Sequence, residues 1–247
     1  MPPDPIAQPD FVRDALILDI DGTLIEIAPT PESVIVPPEL HGVIAALTKH
    51  FDGAIAYCSG RTMEVVDHLM APPRLAAIAC HGAEIRSAPD APVTVVGTPI
   101  AQAVKDAFAD VETDMPGVRL EDKHYTLAFH YRLAPQYEAR LLQTIAARLP
   151  ALDPDLVTLR GKAIVELKAR GFNKGTGLRA LMTHPPYAGR RPIFLGDDRT
   201  DEDVLAVLKD YGGTGYSVGA LLKGASAEFA APADVRAWLA RMATGEG

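Results

Sequence analysis

The side chains with the clearest chemical potential in this sequence are two aspartates one residue apart, Asp19 and Asp21, in the segment Asp-Ile-Asp-Gly-Thr at 19–23. They stand at the end of an apolar run, residues 15–20, that is typical of a buried strand. Ligands of parallel α/β sheets bind beyond the carboxyl ends of the strands, so this position favours a functional site. Because Asp and Gly also favour turns, the pair alone leaves a plain turn equally open.

Three further polar segments occupy comparable positions. Ser59, in Ser-Gly-Arg at 59–61, follows a second apolar run and places a hydroxyl and free backbone N–H groups before a helix, where an anion is favoured. Asp197 and Asp198 follow the last apolar run, and Lys174 begins a helix in Asn-Lys-Gly. If the sheet is parallel, all of these side chains meet in one crevice.

This set of side chains indicates phosphoryl transfer. Clustered carboxylates repel one another unless a cation lies among them, and hard oxygen ligands select Mg²⁺. A carboxylate nucleophile, Mg²⁺ and several donors for phosphate oxygens are what phosphoryl transfer requires.

The elements that carry these residues alternate between strand and helix, which predicts a Rossmann-like, doubly wound parallel sheet in an α/β protein. The predicted strands are 15–20, 54–58, 75–80 and 192–195, and the predicted helices are 38–50, 62–70, 174–182, 201–208 and 232–243. The catalytic core would be discontinuous, comprising residues 14–83 and 171–243. Residues 1–13 are rich in proline and are predicted to form a flexible tail.

Residues 84–170 have a different pattern and are interpreted as an inserted α+β cap domain. Alternating segments at 119–121 and 126–132, helices at 100–114 and 135–149, and strands at 156–159 and 163–168 predict a β-α-β-β-α-β-like set with an antiparallel sheet. Such a cap would exclude bulk water from the crevice, opening on hinges near residues 82–83 and 170–171.

Composition excludes several classes of protein. The 247 residues are 48% hydrophobic and 23% charged, as in soluble globular proteins, and charges or prolines interrupt every apolar stretch short of a membrane span. The net charge of −8 argues against a nucleic-acid binder. Two cysteines make no disulfide scaffold, and no signal peptide is recognisable, so we expect a cytoplasmic protein with no membrane partner and no obligatory protein partner.

The combined motifs resemble those of the haloacid dehalogenase (HAD-like) superfamily of phosphatases. The continuation of the last motif, Asp-Asp-x-Thr-Asp-Glu at 197–202, is similar to the trehalose-6-phosphate phosphatase family, whose members have a type IIB cap. The insert agrees through Glu-x-Lys at 121–123, His-Tyr-Arg at 130–132 and Gly-Lys-x-x-x-Glu at 161–166. One departure is Leu-Lys-Ala-Arg at 167–170, where the family pattern has Arg-Pro after the glutamate.

The resemblance implies a mechanism and a site. Asp19 would attack phosphorus and form an aspartyl-phosphate, and Asp21 would act as general acid and base. Ser59 and Lys174 would hold the phosphoryl oxygens. Mg²⁺ would be bound by Asp19, by Asp197 and by the backbone carbonyl of Asp21. The residues expected to hold metal-bound water are Asp198 and Asp201, and those expected to bind the sugar phosphate are Thr23, Gly60, Arg61, His81, Gly82, Glu121, Lys123, Arg132, Lys162 and Glu166.

Several alternatives stay open on the sequence alone. His81 could be an ordinary histidine at a strand end, and the substrate could be sucrose 6-phosphate or another sugar phosphate instead of trehalose 6-phosphate. A receiver-like signalling module combines similar residues, although the chain length and the large insert argue against it. A glycosyltransferase would leave Lys174 and Asp197 unexplained.

Overall fold

The structure is a computed structural model that describes residue 6 and residues 8–245. Two sheets are formed. The strands are β1 (Asp14–Leu18), β2 (Ile55–Cys58), β3 (Ala76–Ala79), β4 (Glu84–Arg86), β5 (Thr94–Val95), β6 (Arg119–Asp122), β7 (Thr126–His130), β8 (Leu156–Gly161), β9 (Ile164–Ala169), β10 (Arg191–Gly196), β11 (Thr214–Val218) and β12 (Ala227–Phe229). The helices are α1 (Pro38–His50), α2 (Met63–Met70), α3 (Gln102–Ala107), α4 (Val111–Asp114), α5 (Glu138–Leu152), α6 (Lys174–Leu181), α7 (Glu202–Leu208) and α8 (Pro232–Thr244).

The large sheet has the order β12-β11-β10-β1-β2-β3-β4-β5. From β12 to β3 the neighbouring strands are parallel, and β4 and β5 add an antiparallel edge. Every residue of β1, β2 and β3 is buried, as expected of strands covered by helices on both faces. This confirms the predicted parallel α/β architecture and brings the carboxyl ends of β1, β2 and β10 to one edge.

Four of these strands, β4, β5, β11 and β12, were not predicted from the sequence. The first two lie within the predicted insert, residues 84–170, yet they pair with β3 and extend the large sheet. They are only three and two residues long, and such short edge strands carry little periodicity in the sequence.

The small sheet is antiparallel throughout, in the order β6-β7-β9-β8. Its apolar face packs against α3, α4 and α5 in a core separate from that of the large sheet. Along the chain the elements run α-α-β-β-α-β-β, so the predicted β-α-β-β-α-β order was wrong, whereas the antiparallel sheet with helices on one face is found.

The helix predicted over 100–114 is broken into α3 and α4. Arg148 of α5 accounts for the break, because its guanidinium donates to the carbonyl of Ala107 at 2.7 Å and to the carboxylate of Asp110 at 2.6 and 2.8 Å. The carbonyl that ends α3 therefore has a partner, and Phe108 turns into the core against Phe129.

Residues 1–5 and 7 of the predicted tail lie outside the described residues. Further along that segment, the ring of Phe11 packs edge-on against Phe51 at 5.0 Å. Among the described residues, no helix combines the length and apolar character needed to cross a membrane.

Candidate active site

The strand-end residues predicted from the sequence meet around one buried ammonium group. Asp19 directly follows β1, and Lys174 is the first residue of α6, where Asn173 forms a capping box with Thr176. The Nζ atom of Lys174 donates to Asp19 Oδ1 at 2.7 Å and to Asp201 Oδ1 at 2.7 Å. Thr23 Oγ1 donates to the other oxygen, Asp19 Oδ2, at 3.1 Å, so both oxygens of this carboxylate are held.

Three buried carboxylates form an acidic cluster beside Lys174. Oxygen atoms of Asp19, Asp197 and Asp201 lie within 4.8 Å of one another. Burial raises the pKa of Asp19 well above its usual range, against the opposing charge of Lys174. Burial likewise raises the pKa of Asp197 to about 6. Ionising these buried carboxylates costs free energy, and a bound cation would offset that cost. Since the cluster offers only hard oxygen donors, it fits a divalent cation such as Mg²⁺.

Asp201 is completely buried and fully engaged by the protein. Besides Lys174, it accepts hydrogen bonds from the backbone N–H groups of Asp197 at 2.9 Å and Asp198 at 3.0 Å. Asp198 itself is less buried, and its carboxylate accepts a hydrogen bond from the backbone N–H of Arg199. Asp201 therefore orients the turn that follows β10.

Gly22 allows this close approach of the two aspartate motifs. Its φ of +80° lies in the left-handed region, and a Cβ added there would lie 2.0 Å from Asp197 Oδ2. Any side chain at this position would displace Asp197 from the acidic cluster.

Arg61 binds Asp21 with two parallel hydrogen bonds. Its Nε and Nη2 atoms donate to the two carboxylate oxygens at 2.7 Å each, and Nη1 donates to the carbonyl of Pro31 at 3.2 Å. The sequence analysis assigned Arg61 to the substrate, whereas the structure pairs it with the predicted general acid. This bidentate pair fixes the plane of the Asp21 carboxylate.

Two N–H groups at the start of the helix after Ser59 are bound within the protein. Binding of an anion by Ser59 and the N–H groups before this helix stays a prediction. The N–H of Met63 donates to Glu84 of β4 at 2.7 Å, and the N–H of Val65 donates to Thr62 at 3.4 Å. An internal carboxylate thus already occupies the start of α2. Ser59 is buried, and its Oγ accepts the N–H of Arg61 at 3.1 Å.

The polar face of the small sheet is turned toward this cluster. Side chains alternate along strands, so Glu121, His130 and Glu166 share the face opposite the apolar core. His130 Nε2 lies 2.7 Å from Glu121 Oε2. Although burial opposes ionisation, His130 and Lys123 hold the pKa of Glu121 below its usual range.

Lys123, Glu166 and His81 form a buried polar cluster that joins the two sheets. Lys123 Nζ donates to Glu166 Oε1 at 2.7 Å and to the carbonyl of Gly60 at 3.3 Å. His81 Nε2 lies 2.9 Å from Glu166 Oε2. Burial would raise the pKa of Glu166, but Lys123 and His81 hold it well below its usual range.

Lys162 also crosses between the sheets. It lies in the turn between β8 and β9, and its Nζ is 2.5 Å from Asp197 Oδ2. Arg132 donates to the carbonyl of Lys162 at 2.6 Å and so supports this turn. The ammonium group of Lys162, a residue of the predicted cap, therefore contacts Asp197, a predicted metal ligand.

A cavity of about 420 Å³ lies between the strand ends and the small sheet. Of the predicted site residues, it is lined by Asp19, Asp21, Gly60, Arg61, His81, Glu121, Lys123, Arg132, Lys162, Glu166, Lys174, Asp197 and Asp198.

Two predicted substrate-binding residues are instead placed in packing positions. Thr23 is fully buried against Asp19, and Gly82 packs against the carbonyl of Asn173, to which an added Cβ would come within 2.2 Å. Contact of these two residues with the substrate stays a prediction.

The sequence analysis missed two parts of the cavity wall. His130 was noted only within its motif, although strand alternation places it on the same face as Glu166. The segment that includes residues 27–32, between β1 and α1, forms a further wall and has no periodic pattern that would have revealed it.

The fold is similar to that of a class of solved proteins, phosphatases of the haloacid dehalogenase superfamily. A solved phosphatase of the haloalkanoate (HAD) enzyme superfamily from Bacteroides thetaiotaomicron matches 98% of this chain and 98% of its own, with a TM-score of 0.62 and 17% identity. The C-terminal domain of Candida albicans trehalose-6-phosphate phosphatase matches 94% of this chain and 92% of its own, with a TM-score of 0.82 and 23% identity.

The chain belongs to the trehalose-phosphatase family, whose model matches residues 17–231. It is 39% identical over 232 residues to Escherichia coli trehalose-6-phosphate phosphatase, covering 93% of this chain and 86% of the relative. It is also 37% identical over 211 residues to a probable trehalose-phosphate phosphatase of Sinorhizobium fredii, covering 85% and 79%.

Proposed function

We propose that this protein hydrolyses trehalose 6-phosphate to trehalose and phosphate, with Mg²⁺ as cofactor. The observation that carries the proposal is the position of Asp19, whose carboxylate is held by Lys174 and Thr23 beside two further carboxylates and beneath a polar sheet face. The family membership and the relatives' names support the same substrate.

Asp19 acts as the nucleophile in this mechanism. One carboxylate oxygen bonds to phosphorus while the bond from phosphorus to the sugar oxygen breaks, and the leaving oxygen takes a proton from Asp21. Asp21 then removes a proton from water, which attacks phosphorus and breaks the bond to Asp19. The two hydrogen bonds to Asp19 restrict its rotation, so the attacking oxygen is already oriented.

The donor set indicates where Mg²⁺ would be held. Asp19, Asp197 and the carbonyl of Asp21 are the proposed ligands, because Asp201 already binds Lys174 and two backbone N–H groups. When bound, the ion supplies positive charge that lowers the repulsion between the phosphoryl group and Asp19. Asp198 and Asp201 orient the loop that carries Asp197.

We propose that the part of residues 84–170 that follows β4 and β5 acts as a cap that selects the sugar. The polar face offers carboxylates, cations and an imidazole, and such mixed donors and acceptors suit the hydroxyl groups of a disaccharide. Lys162 contacts Asp197, and Lys123 donates to the carbonyl of Gly60. These two contacts join the small sheet to the strand ends of the large sheet. The cytoplasmic location expected from the sequence stays a prediction.

The test is the release of phosphate from trehalose 6-phosphate with Mg²⁺ and with EDTA. We expect turnover only with the metal, and no release with Mg²⁺ present would refute the assignment. Sucrose 6-phosphate, glucose 6-phosphate and p-nitrophenyl phosphate, measured in parallel, separate the sugar from the phosphate chemistry. A kcat/KM for sucrose 6-phosphate above that for trehalose 6-phosphate would transfer the assignment to the alternative substrate.

A further inference from the structure

The linker that returns from the small sheet to the large one winds around a buried lysine. Lys168 lies near the end of β9 with only 4% of its surface exposed. Its Nζ donates to the carbonyl of Ala169 at 2.9 Å and to the carbonyl of Phe172, and it lies 4.2 Å from the centre of the Phe172 ring. This lysine stands in the segment where the sequence departs from the family pattern.

The ammonium group of Lys168 donates its hydrogen bonds to backbone carbonyls. Among the described residues, no ion pair joins its Nζ to a carboxylate within 4.0 Å. Burial lowers the pKa of this lysine, against the charges of Asp203 and Glu166. Burying an ammonium without a carboxylate in contact is costly, so the two carbonyls and the aromatic ring, with the charges of Asp203 and Glu166, must offset that cost. The buried position of the Lys168 ammonium group is therefore stabilised when the linker brings the carbonyls of Ala169 and Phe172 to its Nζ.

The linker leads directly to the reaction centre. Phe172 is followed by Asn173, which caps α6, and then by Lys174, whose ammonium binds Asp19. The linker also packs against residues 80–83, which follow β3. Gly82 contacts the carbonyl of Asn173, and Phe172 forms a small apolar cluster with Cys80 and Ala83. A change in the path of the linker would therefore move the first residue of α6.

We propose that Lys168 is a positioning residue for Lys174. By holding the carbonyls of Ala169 and Phe172, it sets the start of α6 and so the place of the Lys174 ammonium against Asp19 and the phosphoryl group. The inference rests on the proposed phosphatase function, since it assigns Lys168 a part in the same reaction.

The test compares Lys168→Met, Lys168→Gln and Lys168→Arg on two substrates. We expect Lys168→Met to lower kcat about tenfold for both trehalose 6-phosphate and p-nitrophenyl phosphate, with KM changed less than about twofold, because a small displacement of Lys174 affects the shared chemistry. Arginine keeps the charge and several donors, so Lys168→Arg should stay within about threefold of the wild type. Arg170→Met, which removes an exposed cation from the same linker, is the matched control and should leave kcat unchanged.

The outcomes distinguish positioning from other roles. A loss confined to trehalose 6-phosphate would mean that Lys168 orients the cap, and a lower Tm with unchanged kcat would mean that it only stabilises the fold; either overturns the proposal. If Lys168→Met does not fold, Lys168→Gln, which keeps a donor without the charge, replaces it at a permissive temperature.

The same experiment separates this inference from the proposed function. A wild type that hydrolyses p-nitrophenyl phosphate but not trehalose 6-phosphate refutes only the substrate, and the variants are then compared on the aryl phosphate. If neither is hydrolysed, the readout is the rise in Tm caused by Mg²⁺ with beryllium fluoride. Lys168→Met should reduce that rise and Lys168→Arg should preserve it; an equal rise in both would overturn the proposal.

Discussion

Replacing Asp197 with asparagine should stabilise the metal-free protein at neutral pH. Asp197 is 4% exposed, and burial, together with the charge of Asp201, raises its pKa to about 6, although Lys162 opposes the rise. Keeping this carboxylate ionised at pH 7.5 therefore costs folding free energy, and an amide of nearly the same shape avoids the cost.

The size and sign of the effect follow from the two pKa values. The ordinary value is 3.8 and the folded value is about 6. At about 1.4 kcal/mol for each unit, the gain in the free energy of unfolding is about 3 kcal/mol. Because the folded state binds the proton more tightly, the cost is absent below pH 3.8, grows as pH rises toward 6 and is complete above it. Lys162, whose side chain is 49% exposed, stays hydrated when its partner is removed.

The assay is urea unfolding in EDTA at pH values from 4 to 8, for the wild type and Asp197→Asn. Asp198→Asn is the matched control, since this neighbouring carboxylate is less buried and accepts a hydrogen bond from the N–H of Arg199. Added Mg²⁺ should reverse the order, because only the wild type keeps the full donor set. Equal or lower stability of Asp197→Asn at pH 7.5, or the same gain at pH 4, would contradict a cost of ionising Asp197 in the folded state.

Three further predictions concern catalysis and selectivity. Asp19→Asn should lower kcat by on the order of 10³ or more while the circular dichroism spectrum stays that of the wild type; wild-type-like turnover would mean that the nucleophile is misassigned. Arg132→Ala and Glu166→Ala should each lower kcat/KM for trehalose 6-phosphate about tenfold but change that for p-nitrophenyl phosphate less than about twofold, and equal losses on both would remove the cap residues from sugar recognition. Arg119 and Glu32 form a bidentate salt bridge (2.8 and 2.9 Å) that joins the segment after β1 to the small sheet. Glu32→Gln and Arg119→Gln should therefore each raise KM about twofold at low salt but not at high salt. Additive effects in the double variant would show that the two side chains do not interact.

The sequence predicted the strand-end residues because each is specified locally. A short apolar run followed at once by a polar residue identifies a strand end, and parallel pairing then brings distant strand ends together. Asp19 and Asp197 belong to one acidic cluster for this reason, although one motif lies near each end of the chain. Lys174 was included because Asn-Lys-Gly predicts the start of a helix, and the resemblance then implied its role in holding phosphoryl oxygens.

The contacts between the two sheets could not be predicted in this way. The pairing of Lys162 with Asp197, of Arg61 with Asp21 and of His81 with Glu166 depends on how the segments approach one another in space. A family motif marks these residues as members of the site but does not show which of them bind each other. The broken helix at 108–110 was missed for a related reason, since its cause is a side chain on α5.

The division of the site between two sheets explains why reaction and selectivity should respond to different substitutions. The groups proposed to react lie at the ends of buried strand segments, where a change in Asp19 or Asp197 alters a cluster held by several mutual contacts. On the small sheet, alternation places the side chains proposed to bind the sugar opposite the residues of its core, so Glu121 or His130 can be replaced without opening that core. Lys162 is the exception, because a substitution there removes a cap side chain and at the same time leaves Asp197 without its nearest cation. A Lys162→Met variant should therefore lower turnover on p-nitrophenyl phosphate as well as on trehalose 6-phosphate, unlike Arg132→Ala. Loss confined to the sugar substrate would show that its contact with Asp197 has no part in the chemistry.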